Sequence, residues 1–161
     1  MIVMVIIVIL MSITLFPYGF YMDRYRVEKN FDMLSQEWIL AHNDVKNGLL
    51  YNSDTHAHLY LDFASGSEQI DIYKSTGATS PRTLYRTISF DSHIQIQSFS
   101  GIDLGSSPHV LYHIAPPYGK WMFSTGLSLE SELTGVTMTI GYPWASLESG
   151  RARRLLLRPY Y

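Results

Sequence analysis

The chain has 161 residues and contains no cysteine, which excludes disulfide bridges and thiolate metal sites. Charged residues make up 16% of it and the formal net charge is -2, so no overall positive field attracts nucleic acid. The sequence also lacks a G-x-S-x-G elbow, an H-E-x-x-H pair, a G-x-G-x-x-G loop and a P-loop. We therefore predict that the protein is not an enzyme and uses no cofactor.

The N-terminal stretch carries no charge before Asp23, and residues 1–22 are predominantly apolar. About 20 apolar residues are enough for a helix to cross the hydrocarbon core of a membrane. A cleaved secretory signal would have small residues after its apolar run, whereas Leu15-Phe16-Pro17-Tyr18 is bulky. A buried core helix is the other alternative, and a run of this length disfavours it. We predict a membrane-spanning helix that kinks or loosens near Pro17.

A helical pattern continues through residues 23–50. Apolar residues recur there at alternating steps of four and three, on one face of a helix: Val27, Phe31, Leu34, Trp38, Ala41, Val45 and Leu49. Asn47-Gly48 is a typical stop, because glycine adopts the left-handed conformation after a helix without strain. This stretch is predicted to be the amphipathic half of the same helix, which continues directly from the membrane-spanning half without a flexible linker.

From Tyr51 the apolar period changes from 3.6 to 2, which is typical of β-strands. Turn residues between short alternating segments predict three antiparallel hairpins: 58–63 with 69–73, 83–90 with 93–99, and 135–141 with 153–158. A further strand is predicted over residues 109–115. The expected fold class is α+β, with a long N-terminal helix packed on an antiparallel β-sheet headgroup, residues 51–161, called the β domain below.

The run Met1-Ile-Val-Met-Val-Ile-Ile-Val-Ile-Leu10, with Pro17 further on, resembles the N-terminal helix of type IV pilins and type II secretion pseudopilins. The resemblance extends over residues 1 to about 50 and implies a filament subunit that assembles through this helix. The implied partners are other pilin or pseudopilin subunits and the membrane. The residues expected to pack in the filament or membrane are Met1, Ile2, Val5, Ile6, Ile9, Leu10 and Pro17.

In that family the stretch follows a basic leader and a short motif whose acidic residue lies two places before the position matching Met1. The resemblance therefore implies residues upstream of Met1. Cytoplasmic flanks of a membrane span are normally the basic ones. Arg24, Arg26 and Lys29 follow the span, so taken alone they would place the β domain in the cytoplasm. A basic leader before the span would reverse this orientation. The β domain is then expected on the periplasmic or extracellular side of the bacterial cytoplasmic membrane. Without the leader, it would face the cytoplasm.

Four arginines lie close together near the end of the chain: Arg151, Arg153, Arg154 and Arg158. Guanidinium groups bind phosphates and stack on bases. Gly150-Arg-Ala-Arg153 is similar to the Gly-Arg-x-Arg motif of minor pilins of the GspH/FimT type, which implies DNA binding during uptake. The alternative is a turn at Ser149-Gly150 that leads into a strand, with Leu155 and Leu157 facing the core and Arg154 and Arg158 facing solvent.

Histidines are the remaining candidates for a chemical role. His56 and His58 would share a strand face, as would His109 and His113, so each pair could present imidazoles together. Partly exposed histidines on strands are common, however, and no metal site is predicted.

Two function classes remain open. The first is a minor pilin or pseudopilin, a structural subunit of a type IV pilus or type II secretion-like filament. The second is a monomeric single-pass membrane protein whose helix only tethers a binding domain. A tether tolerates a Gly/Ser-rich linker after the membrane, and this chain has none there. The continuous helix therefore favours the filament.

Overall fold

The computed structural model describes residues 2–52, 55–77, 80–102, 109–116, 120–125, 128–130 and 136–157. Helix α1 runs from Ile2 to Lys46 and continues through Pro17. Its 45 residues span about 68 Å at 1.5 Å each. Gly48 has a φ of 81°, and the N–H groups of Gly48 and Leu49 donate to the carbonyls of Val45 and Asp44 at 3.1 and 2.9 Å. This pair of bonds is a Schellman motif, and it confirms the predicted stop.

Two sheets form most of the β domain. Within the described residues the strands are β1 (Leu50–Asn52), β2 (Thr55–His56), β3 (His58–Ala64), β4 (Gln69–Ser75), β5 (Thr83–Ser89), β6 (Gln95–Ser100), β7 (His109–Ala115), β8 (Lys120–Thr125), β9 (Ser128–Glu130), β10 (Val136–Gly141) and β11 (Ala152–Leu157). Six of them form one sheet in the order β5-β4-β3-β7-β8-β9, and three form a second in the order β11-β10-β6. Strands β1 and β2 pair separately. All the pairings are antiparallel, so the predicted α+β class, a long apolar helix with antiparallel sheets, is confirmed.

Helix α1 contributes to the same buried cluster as both sheets. Its buried members are Val27, Leu34, Trp38, Ala41 and Val45. The Trp38 ring lies 4.1 Å from that of Tyr112 on β7 and 6.0 Å from that of Phe63 on β3, measured between centroids. Burying a side chain of this size contributes about 2 kcal/mol or more. Five residues of the helical face after Asp23 are therefore buried, in one cluster with residues of both sheets.

Two predicted hairpins are present and one is wrong. Strands β3 and β4 pair around the turn at residues 65–68, and β10 pairs with β11. The predicted pairing of 83–90 with 93–99 does not form, because β5 pairs with β4 while β6 pairs with β10 in the other sheet. Residues 91–92 contain neither glycine nor asparagine, the residues that favour a tight hairpin turn.

The chain instead crosses between the sheets against helix α1. The backbone N–H of Asp91 donates to the side-chain oxygen of buried Asn30 at 3.0 Å, and the Asn30 amide donates to the Arg26 carbonyl at 2.8 Å. An ion pair of 3.3 Å joins Lys29 to Asp91. Phe90 and Ile94, on either side of this contact, are both buried. The helix thus supplies the polar partners for a connection that runs from one sheet to the other.

Candidate membrane and filament interface

The first half of helix α1 presents apolar side chains on every side. The described large apolar side chains from Val3 to Phe20 are all exposed, between 37% and 73% of their surface. Among the predicted packing residues, Val5, Ile6, Ile9, Leu10 and Pro17 are exposed in this way. Met1 lies outside the described residues, as does the side chain of Ile2. A helix that is apolar all round is stable in lipid or among other helices, and within the described residues this is the one helix long and apolar enough to cross a membrane.

Arg151 connects this segment to the β domain. It directly follows Gly150, whose φ of 70° ends the short 3₁₀ helix Leu147–Ser149. Its guanidinium pairs with Asp23 at 3.2 Å, the first charged residue after the apolar run. The same group lies over the ring of Phe20 at 4.7 Å and over that of Trp144 at 4.8 Å. Stacked between two aromatic rings and paired with a carboxylate, Arg151 fixes the end of the β domain to the helix.

Two glycines permit this arrangement. A Cβ on Gly150 would lie 2.6 Å from Nε of Arg24, and one on Gly141 would lie 2.5 Å from the carbonyl oxygen of Arg151. Contacts below 3.0 Å force a neighbour to move. At Gly141 the neighbour is the backbone of the partner strand, so the close approach of β10 and β11 requires glycine there.

The other predicted DNA-binding arginines are placed differently. Arg153 pairs with Glu28 of the helix at 3.2 Å, and both side chains are about half exposed. Arg154 is exposed and forms no ion pair with any other described residue, while Arg158 lies outside the described residues. Leu157 is buried, Leu155 packs against the core and Arg154 is exposed, as the alternative interpretation of this stretch as a strand expects. The positive charge of the patch is therefore partly neutralised by the carboxylates of helix α1.

An open groove separates helix α1 from this end of the β domain. It holds about 520 Å³ and is lined by Glu28, Phe31, Asp32, Leu147, Ala152, Arg153 and Arg154. Carboxylates line its helix side and guanidinium groups line its strand side. A groove of mixed charge of this kind suits a polypeptide surface better than a polyanion, because the carboxylates repel phosphate.

The histidines separate into unrelated environments. Nδ1 of His58 lies 2.8 Å from Nε2 of His113 across strands β3 and β7, whereas His109 pairs with Asp62 at 3.0 Å. His56 instead lies beside Gly48, at the end of the helix. Among the described residues no three histidine or carboxylate groups are placed to hold a metal ion.

A polar cluster surrounds His113 on the sheet face opposite the helix. Its ring stacks on Tyr60 at 4.3 Å, and the guanidinium of Arg82 lies 4.3 Å from the centre of the Tyr60 ring. Burial, with the nearby His58 and Arg82, lowers the pKa of His113 to about 4. Among the described residues, the Tyr60 hydroxyl and Nδ1 of His113 are buried and have no hydrogen-bond partner. Such atoms cost about 1–3 kcal/mol each, so the cluster is a candidate binding surface.

A second histidine is buried under the helix. Nε2 of His42 lies 2.7 Å from the Tyr112 hydroxyl, beside the Trp38 ring at 5.7 Å. Burial, with a smaller contribution from Lys46, lowers the pKa of His42 to about 4. This contact joins the helix to strand β7 and has a structural role.

Sequence reasoning missed the partners of Arg151 and of His113. Asp23, Phe20 and Trp144 carried a usable signal, because the first charge after an apolar span and an exposed aromatic in a loop both suggest a membrane border. Nothing in the sequence pairs them with Arg151, which lies far along the chain. The contact of Tyr60 with His113 likewise depends on the register of β3 with β7, which places the two residues opposite each other.

Fold and site define an α+β protein with one N-terminal helix able to cross a membrane and a β domain fixed to the end of that span. Comparison with protein-family models, with curated proteins and with solved structures gives no match.

Proposed function

We propose that this chain is a structural subunit, a minor pilin or pseudopilin, of a type IV pilus or type II secretion-like filament. The observation that carries the proposal is the continuity of helix α1 from Ile2 to Lys46. Its first half is apolar and exposed, and its second half belongs to the core of the β domain. A single helix thus joins an exposed apolar surface, which needs lipid or other helices around it, to the folded β domain.

The absence of a hinge supports assembly over simple tethering. A tethered domain needs only a flexible link, whereas here the Arg151–Asp23 ion pair and the Asn30 hydrogen bonds bind the β domain to the first turns after the span. Neighbouring helices in a filament would then set the position of each β domain. The function is assembly and requires no catalysed reaction.

The filament proposal places the β domain on the periplasmic or extracellular side of a bacterial cytoplasmic membrane. Assembly would draw the exposed residues Val5, Ile6, Ile9 and Leu10 out of lipid and into contact with other subunits. Leu, Ile and Val are about as apolar as lipid chains, so the exchange costs little in hydrophobic energy and depends on packing.

The alternative is a monomeric membrane-anchored binding domain. The observation that favours it is the pair of buried atoms on Tyr60 and His113 that have no hydrogen-bond partner in the described part of the chain, and that a bound polar molecule would satisfy. DNA contact through Arg153, Arg154 and Arg158 is a further proposal. The ion pair of Arg153 with Glu28 weakens it, and many subunits in a filament would strengthen it by multivalency.

Cross-linking of single cysteines tests the assembly, because the natural chain has none. Val5→Cys and Ile9→Cys are introduced separately, and bismaleimide is added to intact cells of the source bacterium. We expect a covalent dimer in the sheared surface fraction, because a chain with a single thiol forms a single cross-link. Thr76→Cys, on the exposed turn after β4, is the matched control and should give a much weaker dimer band. Monomer at all three positions would instead support the tethered domain.

A further inference from the structure

The loop that joins β10 to β11, residues 142–151, contacts helix α1 at the border of the apolar span. Arg151 reaches both Phe20 and Asp23, and Gly150 lies against the Arg24 side chain. Phe20 and Arg24 are about 6 Å apart along the helix axis. The polar layer of a bilayer is also about 5–7 Å thick on each side of the hydrocarbon core. When residues 2–22 span the membrane, this loop therefore lies at the level of the lipid headgroups.

The side chains at this level are those that membrane interfaces favour. Trp144 is 63% exposed and stacks on Tyr142 at 5.4 Å between ring centres. Exposed tyrosines stand on the adjacent helix turns, at Tyr18, Tyr21 and Tyr25. Tryptophan and tyrosine are enriched at the boundary of lipid and water, because they combine an apolar ring with a polar group.

The charges at this level favour an anionic surface. Arg24 and Arg26 are exposed, and neither forms an ion pair with another described residue, although the Arg26 side chain interacts with the Tyr142 hydroxyl of the loop. The one carboxylate of the helix at this level, Asp23, is already paired with Arg151, and the loop adds a single exposed acid, Glu148. Guanidinium groups bind phosphate oxygens, and each basic residue near an anionic membrane contributes about 1 kcal/mol.

We propose that the 142–151 loop rests on the surface of an anionic phospholipid membrane, with the Trp144 indole in the interface and Arg24 and Arg26 on lipid phosphates. The inference rests on the spanning role of helix α1 and is independent of filament assembly. It gives the loop a function in the subunit before assembly: it holds the β domain against the membrane at a fixed height.

Depth-dependent quenching tests the proposal on the full chain. A fluorophore is attached at Ser146→Cys, an exposed loop position whose side chain makes no capping hydrogen bond. The chain is reconstituted in vesicles of phosphatidylcholine, with or without an equal part of phosphatidylglycerol, and with quencher groups on the lipid headgroups. Lys46→Cys is the control, because it lies about 33 Å beyond Arg24 on the same helix.

We expect the label at residue 146 to be quenched several-fold more than the label at residue 46, and more strongly in the anionic vesicles. Combining Arg24→Gln with Arg26→Gln should remove the dependence on phosphatidylglycerol. Equal quenching at the two positions, or equal quenching in neutral and anionic vesicles, would overturn the proposal. Quenching that requires a high ratio of protein to lipid would also overturn it, because a second copy of the chain would then cover the loop.

A third label separates failure of the loop proposal from failure of the membrane span on which it rests. Ile9→Cys should be quenched by lipids that carry the quencher deep in their acyl chains. If residue 9 is protected while residue 146 is quenched by headgroup probes, the span itself fails and the loop proposal fails with it. If residue 9 is quenched and residue 146 is not, only the loop proposal fails.

Discussion

Arg151 and Asp23 form an ion pair of 3.2 Å between the turn before the last strand and the first charged position of the helix. Each side chain keeps about a quarter of its surface exposed, and the guanidinium also stacks between Phe20 and Trp144. The pair therefore lies in a partly desolvated position where its loss has a measurable cost.

Replacing Arg151 with alanine is expected to destabilise the β domain by about 2 kcal/mol, because the ion pair and the two ring contacts are lost together. Urea unfolding of the detergent-solubilised chain, followed by tryptophan fluorescence, measures the change. Asp23→Asn and the double variant complete a thermodynamic cycle. Additive effects of the two single changes would show that the pair contributes no coupling.

Gly141, at the end of β10, and Gly66, in the turn between β3 and β4, should respond differently to substitution by alanine. Gly141→Ala places a Cβ 2.5 Å from the backbone of Arg151 and should prevent β10 and β11 from pairing in their present register. Gly66→Ala has open space and only the strain of its φ of 81°, which costs about 1 kcal/mol. Denaturation midpoints compare the two. A Gly141 variant as stable as the Gly66 variant would contradict the close approach.

The hydrogen bond between His42 and Tyr112 predicts a cost for removing one hydroxyl group. Tyr112→Phe leaves Nε2 of His42 buried without this partner and should destabilise the chain by about 1–2 kcal/mol. Tyr85→Phe, on the exposed side of β5, is the matched control and should change stability by less than about 0.5 kcal/mol. Equal effects would place the His42 contact outside the stabilising core.

Stability is expected to fall as the pH is lowered through the range of the buried histidines. The pKa values of His42 and His113 are about 4 in the folded chain, below the ordinary imidazole value of 6.5 that applies when the chain is unfolded. The unfolded chain therefore binds protons first, so stability is complete above the unfolded value and decreases from pH 6.5 towards 4. Each imidazole contributes up to about 1.4 kcal/mol per pH unit. Urea midpoints between pH 5 and pH 7 measure the slope, which His113→Phe should reduce by about half.

DNA binding by the isolated chain is expected to be weak and sensitive to salt. Two of the four predicted arginines are paired with helix carboxylates, so few phosphate contacts remain for a single subunit. Arg154→Ala should lower the salt dependence of binding by about one unit of slope, as measured by fluorescence anisotropy. Lys74→Ala, on β4, removes the same charge away from the patch. Equal effects of the two substitutions would show that the arginine patch is not the DNA contact.

Local pattern alone predicted much of the fold. The apolar run, the face that includes Leu34 and Trp38, and the stop at Gly48 follow from helix geometry, since they depend on neighbours within a few residues. The β3–β4 and β10–β11 hairpins are local in the same sense. The resemblance to pilins concerns the N-terminal helix and remains a prediction, as does the division of the chain at residues 22 and 50.

Partners that lie far apart in sequence were decided by the tertiary structure. Strand β6 pairs with β10 and not with β5, because antiparallel strands offer equivalent hydrogen bonds to any neighbour and the choice depends on which faces are buried. Arg151 was likewise predicted to bind phosphate because of its guanidinium group, but the fold places that group beside Asp23. The sequence by itself determined a helix long and apolar enough to cross a membrane, followed by a β domain. The packing of the strands decided which charges remain exposed to bind a partner and which are held in place by the helix.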